Sequence, residues 1–210
     1  MPPRMLIHLA ALATGTANLI SFVWRPDNIT DFVHVMDANG SAVRRVTRNA
    51  FAEGSPSWHP GGKQLVFEGY TADVGIYVVD VDGANQRRLS PSPGFDVRPS
   101  FSPDGSRIVY CRVLDPGAPG VPPTEIRVMD ADGSNSRVIL PTGPTGTFNI
   151  EPRWGGPDNN TIVFFPTACP GNSCASRCRA TAARCGRSPT SRAAIRSGRP
   201  TGRAFRLGPR

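Results

Sequence analysis

Two stretches decide the fold: Arg98-Pro-Ser-Phe-Ser-Pro-Asp-Gly-Ser-Arg-Ile-Val-Tyr110, followed by Val128-Met-Asp-Ala-Asp-Gly-Ser-Asn-Ser-Arg-Val-Ile-Leu140. Both recur. The first matches Ser55-Pro-Ser-Trp-His-Pro-Gly-Gly-Lys-Gln-Leu-Val-Phe67 upstream and Glu151-Pro-Arg-Trp-Gly-Gly-Pro-Asp-Asn-Asn-Thr-Ile-Val-Phe164 downstream. The second matches Val35-Met-Asp-Ala-Asn-Gly-Ser-Ala-Val-Arg-Arg-Val-Thr47 and Val78-Val-Asp-Val-Asp-Gly-Ala-Asn-Gln-Arg-Arg-Leu-Ser90. Gly40 to Gly83 spans 43 residues, as does Pro56 to Pro99, and the next intervals are 50 and 53. The Pro/Gly-rich insert Asp115–Pro123 accounts for the longer spacing. A period in the low forties is the length of one four-stranded propeller blade.

Each half of the repeat has a local reading. Pro-Ser-Trp or Pro-Ser-Phe is expected to begin an inner strand, its aromatic ring packing between neighbouring blades. Ser-Pro-Asp-Gly is a turn, because Pro presets φ, Asp bonds back to the backbone and Gly accepts a positive φ. Leu65–Phe67, Ile108–Tyr110 and Ile162–Phe164 are β-branched or aromatic and form the next strand. Ile76–Val79 and Ile126–Met129 form the third, and Asp-x-Asp-Gly is the hairpin to a fourth strand whose Arg-Arg faces outward. Leu19-Ile-Ser-Phe-Val-Trp24 occupies the place of a second strand.

The pattern resembles the blade consensus of TolB-like propellers, also called WD40-like or PD40 repeats, over residues 19–165. The expected fold is all-β, a partial β-propeller of about three four-stranded antiparallel blades. Blade repeats fall around 19–48, 55–90, 98–141 and 151–165, inside an incomplete propeller at 18–168. The resemblance implies a binding or scaffold role toward protein partners, as in the periplasmic Tol–Pal system, and hence a periplasmic or secreted location, otherwise cytoplasmic. Terminal blades that leave one face open imply self-association as well. An alternative is the propeller part of a prolyl-oligopeptidase-like hydrolase without its catalytic domain.

Charge divides the chain. All 16 acidic residues lie between Asp27 and Asp158, residues 1–170 carry a net charge of about −2, and ten arginines crowd into 177–210 without one acid. Residues 169–210 therefore read as an Arg-rich disordered tail, and 176–210, with only Ile195, Phe205 and Leu207 as large apolar residues, are expected to add no strand. A basic arm for an anionic partner is one account of this tail. A shifted reading frame is the preferred one. Joining the third base of each codon to the next two permits Val-x-Gly-Asp-Gly-Ser-Glu-Val-Arg-Gln-Val-Thr-Asp across Arg177–Thr190, and Trp-Ser-Pro-Asp-Gly-Thr-Arg across Ser197–Ala204. At the other end, the apolar run Met5–Ala13 with small residues to Ala17 fits either a short secretory signal within 1–17 or a ragged start.

Candidate chemistry is sparse. Asp80-x-Asp82 and Asp130-x-Asp132 could offer oxygens to calcium. However, they lack a third acid and a distal glutamate, and Asn39 stands in the first repeat, so hairpin turns are the better account. Cys169, Cys174, Cys178 and Cys185 match no zinc spacing, although Cys169 could pair with Cys174 in an exported protein; Cys111 reads as core. Of His8, His34 and His59, the last takes the serine place of the turn. Gly171-Asn-Ser-Cys-Ala175 lacks the final glycine of a nucleophile elbow. No catalytic, cofactor or metal residue is assigned, no run is long enough to span a membrane, and the propeller part carries no patch suited to nucleic acid.

Overall fold

The computed structural model describes residues 6–11, 19–26, 30–120, 122–142, 147–157, 159–168, 181–183 and 205–206. These hold sixteen strands and no helix. Leu6–Ala11 (β1), Leu19–Trp24 (β2), Phe32–Asp37 (β3) and Arg44–Arg45 (β4) form one antiparallel sheet. Ala52–Trp58 (β5), Gln64–Tyr70 (β6), Val74–Asp80 (β7) and Arg87–Arg88 (β8) form the second, and Asp96–Phe101 (β9), Arg107–Val113 (β10), Thr124–Asp130 (β11) and Arg137–Leu140 (β12) the third. In the fourth, Thr161–Ala168 (β14) pairs with Thr147–Trp154 (β13) on one edge and with Thr181–Ala183 (β15) and Phe205–Arg206 (β16) on the other.

The all-β partial propeller of four-stranded antiparallel sheets is as expected, and three details refine it. First, Leu6–Ala11 pairs with β2 and completes a fourth four-stranded sheet. Second, the 176–210 stretch contributes strands: Ala183, Ala182 and Thr181 lie opposite Ile162, Val163 and Phe164, and Arg206 lies opposite Thr161. An open strand edge is satisfied by main-chain N–H and C=O groups, so pairing there does not require apolar side chains. Third, Pro-Ser-Trp/Phe closes the inner strand instead of opening it, since β5 starts at Ala52, β9 at Asp96 and β13 at Thr147. The proposed Cys169–Cys174 pair and the Gly171–Ala175 segment lie outside the described residues.

Period-2 alternation sends the two faces of each middle sheet into different cores. Leu65, Phe67 and Val79 join Val33, Val35, Val46 and Trp58 between the first two sheets. Val66, Ile76, Val78 and Leu89 meet Phe101, Ile108, Tyr110 and Met129 between the second and third. Val109, Ile126 and Val128 meet Ile162 and Phe164 between the third and fourth, with Trp154 packed alongside. Trp58, Phe101 and Trp154 each end an inner strand, opposite Leu65, Ile108 and Ile162, so the three repeat aromatics are equivalent as the period demands. The first strands of successive sheets touch one another.

Polar links repeat at the same joints. Gly83 (φ 91°) and Gly133 (φ 97°) carry their hairpins against the preceding sheet, where a Cβ would sit 2.7 Å from the Val46 carbonyl oxygen or 2.8 Å from that of Leu89. Only glycine meets both demands. Arg44 and Arg87 each reach the next sheet's hairpin, donating to the carbonyls of Val81 (2.7 Å) and Asp132 (3.0 Å). The second arginine of each pair turns onto an aromatic ring: Arg45 over Phe32 at 3.3 Å and Arg88 over Tyr77 at 5.8 Å.

Phe101→Ala removes the ring at the centre of the joint between the second and third sheets and is expected to cost about 3–5 kcal/mol. Urea unfolding of variant and parent measures it. A loss below about 1 kcal/mol would show that this joint does not stabilise the fold as described.

Candidate functional site

The inner strands share a device that begins three residues before each repeat proline. Glu53, Asp96 and Asn149 occupy equivalent places ahead of Pro56, Pro99 and Pro152, and all three are buried. Glu53 reaches back to the first sheet, where its Oε2 accepts from the Val33 N–H (2.7 Å) and the Thr47 hydroxyl (2.6 Å). Asp96, fully enclosed, is held by Arg112 through two bonds of 2.7 Å. At the third joint the main chain of Asn149 exchanges bonds with the Thr124 hydroxyl, and the Cys111 thiol donates to the Asn149 carbonyl (3.2 Å).

Between this anchor and the proline each inner strand bulges. Ser55 (φ 47°), Arg98 (φ 58°) and Glu151 (φ 53°) sit in the left-handed region, and the pairing with the next strand slips there in all three sheets. Non-glycine residues in that region cost on the order of 1–3 kcal/mol each, and bulges re-aim side chains. Here the bulge turns the Arg98 N–H onto Glu68 Oε1 (2.5 Å), while the Arg98 guanidinium donates to the Ser55 hydroxyl (3.0 Å). The other oxygen of Glu68 accepts from the Tyr70 hydroxyl (2.5 Å). Burial, followed by the nearby Glu68 carboxylate, holds the Tyr70 phenol well above its usual range. Gly54 permits the approach, since a Cβ there would lie 3.1 Å from the Glu68 carboxylate.

This Glu68–Tyr70–Arg98 cluster is the shared wall of two cavities. One, of about 270 Å³, lies toward the first sheet and is lined also by Asp31, Glu53, Ser55, Val23 and Ala52. The other, of about 300 Å³, is apolar, with Phe95, Val97, Val113 and Ile150 on its walls. Pro116 and Pro122 from the Asp115–Pro123 insert line it as well.

The sequence candidates lie elsewhere. Asp80 accepts from Gln64 and Asn85, Asp130 from Asn135, and Asp82 and Asp132 close their own turns on the Ala84 and Ser134 N–H groups. Each carboxylate is thus engaged in its hairpin. Among the described residues no group of three or more His, Cys, Asp or Glu side chains is placed to hold a metal. His59 accepts from the Gly61 N–H (2.9 Å) and packs edge-on against Phe101, its ring filling the space beside Gly105 of the next sheet. Cys111 is buried as expected, and burial pushes its thiol up to about 12, which keeps it protonated. No described helix is long and apolar enough to cross a membrane.

Four-stranded antiparallel sheets that share cores face to face, with their first strands in contact, define an open β-propeller. The family model described as the TolB beta propeller domain matches residues 33–164, and the chain belongs to that family. Among solved structures it is similar to a protein of Agrobacterium tumefaciens described as a TolB (TM-score 0.58, 21% identity, 73% of this chain and 56% of that one). It is also similar to TolB from Acinetobacter baumannii (0.57, 20%, 73% and 36%) and to a puromycin hydrolase (0.57, 20%, 77% and 27%). The chain therefore spans about half or less of the structures it resembles. No protein of curated function matches its sequence.

His34 gives the site's flank a defined pH response. Buried between Phe22 and Trp24 with Arg45 nearby, its imidazole is held below the ordinary value chiefly by burial. The unfolded chain then binds a proton that the folded one refuses, so this contribution is intact above about pH 6.5 and is lost as pH falls through the folded value. Glu53, raised chiefly by burial, works the other way: its contribution is intact at acid pH and is lost as pH rises through its folded value. Chemical unfolding of His34→Phe and the parent across pH 5–7 separates the two effects. The parent-minus-variant stability is expected to shrink as pH falls, and a difference that does not change with pH would overturn the assignment.

Proposed function

We propose that the chain is a non-catalytic binding propeller of the TolB type that docks a protein partner on its concave face. The carrying observation is the Glu68–Tyr70–Arg98 cluster, where strained backbone presents a bonded polar wall between two cavities. Backbone strain concentrates at ligand-binding positions because the surrounding structure must hold it. Concave sites that mix apolar walls with a few placed polar groups are the usual form of a binding pocket. The chemistry available supports binding over turnover: the Cys111 thiol is enclosed, and His59 and His34 are engaged in packing between and within sheets. The TolB likeness supports an exported, periplasmic setting.

The puromycin hydrolase neighbour supports a second reading, the propeller portion of a hydrolase whose catalytic part lies elsewhere. Site-specific photo-crosslinking in the native host separates the two. A photoreactive residue at Tyr70, on the concave face, is expected to trap one discrete protein, and the same residue at Val138, exposed on the outer strand, to trap none. Equal trapping at both positions would contradict the docking role. Trapping of a separate hydrolase subunit at Tyr70 would favour the second reading.

A further inference from the structure

The hairpin of the first sheet departs from its two equivalents at one residue. The second and third sheets carry Asp82-Gly83 and Asp132-Gly133, whereas the turn between β3 and β4 carries Asn39-Gly40, and no other asparagine of the chain precedes a glycine. The turn is otherwise the same. Asp82 accepts from the Ala84 N–H (2.9 Å) and Asp132 from the Ser134 N–H (2.8 Å), as Asn39 Oδ1 does from the Ser41 N–H (2.9 Å). The Ser41 hydroxyl lies 2.7 Å from the same oxygen and 3.0 Å from Asp37 Oδ2, so its shorter contact is a second donor to the Asn39 carbonyl. Two donors on one carbonyl oxygen draw charge toward it and leave the carbon open to attack. Asn39, Gly40 and Ser41 are all exposed. Gly40 sets no side chain between its own nitrogen and the Asn39 carbonyl carbon, and a Cβ there would meet nothing within 4 Å, whereas Gly83 and Gly133 lie against the preceding sheet. A polarised carbonyl held next to a main-chain nitrogen, with open access for water, suits intramolecular attack.

We propose that Asn39 is a deamidation site, and that its aspartate product is the residue the other two hairpins already hold. The Gly40 N–H leaves the Asp37 carbonyl to which it donates (2.8 Å) and gives its proton to hydroxide. The Gly40 nitrogen then bonds to Asn39 Cγ while the Ser41 donors hold the oxygen that takes up the charge. The Cγ–Nδ2 bond breaks, and ammonia leaves with a proton from water. Water opens the resulting succinimide at either carbonyl, so the net change consumes water and releases ammonia. Cleavage of the bond to Cγ restores the main chain with an aspartate, which fits the turn as Asp82 and Asp132 do. Cleavage of the other bond gives isoaspartate, which adds a methylene to the main chain between Asp37 and Ser41. The bond from the Asp37 N–H to the Ser41 carbonyl (2.9 Å) closes this hairpin, so isoaspartate loosens β4, from which Arg44 reaches the second sheet.

The test incubates the full-length chain at mildly acidic and mildly alkaline pH and follows Asn39, Asn85 and Asn135 by peptide mass spectrometry, with fragmentation that separates aspartate from isoaspartate. Asn85 and Asn135 serve as controls within the same molecule. They lie in the equivalent hairpins, but Gln86 and Ser136 follow them, and their Nδ2 groups are held by Asp80 (2.6 Å) and Asp130 (2.7 Å). Asn39 is expected to convert at least about tenfold faster than either, and faster at the higher pH. Ser41→Ala keeps the N–H donor and removes the hydroxyl from an exposed position, and should slow conversion about threefold or more in the folded chain. In urea, where the turn is lost, variant and parent should convert at the same rate. Conversion of Asn39 no faster than that of Asn85 and Asn135 would overturn the site. A folded Ser41→Ala chain that converts as fast as the parent, or faster, would overturn the part assigned to the turn.

Discussion

Every sheet here is too thin to be a domain, and the fold depends on each one burying both faces against its neighbours. The alternation along β6, β7, β10 and β11 makes that plain: adjacent residues of one strand belong to different cores, so no core lies within a single sheet. A core shared across a joint cannot form until both partners are present, which is why such arrays behave as sums of units and interfaces. The polar groups follow the same rule. The Arg44 and Arg87 reaches, the close approach of Gly83 and Gly133, and the anchor from Glu53 to Val33 all cross from one sheet to the next.

The concave face inherits its chemistry from this arrangement. Buried anchors at Glu53, Asp96 and Asn149 fix the start of each inner strand, and the proline and aromatic fix its end. The left-handed residue between them is held by constraint on both sides, which lets Ser55, Arg98 and Glu151 persist where a free chain would relax. Because the three positions are equivalent but their side chains are a hydroxyl, a cation and an acid, one backbone device presents different chemistry in each sheet. Glu68, in the place Cys111 takes in the next sheet, is the substitution that turns the second joint into a polar wall.

The strand order, the hairpin chemistry and the aromatic joints were legible because each depends on local residue types at a fixed period. Asp80 and Asp130 in their turns and Trp58, Phe101 and Trp154 on their strands follow directly from the motif. The inner-strand starts were not legible from Pro-Ser-Trp alone, although an acid or amide three residues before each proline was a usable signal. The paired cavities depend on which side chains from two or three sheets converge, and no spacing within a single repeat encodes that. β15 and β16 were missed because composition speaks for side-chain burial, whereas an open edge is filled by main chain. The family match, covering residues 33–164, fixes the architecture.

The claim that the joints, not the sheets, are the cooperative units is tested most directly by residue-resolved amide exchange on Ile108→Ala. Ile108 lies on β10 in the core shared with Val66, Ile76 and Val78 of the second sheet. If the joint is the unit, exchange should accelerate in β6 and β7 to about the same degree as in β10 and β11, although neither of the first two strands pairs with either of the last two. Acceleration confined to β9–β12, with β6 and β7 protected as in the parent, would contradict it.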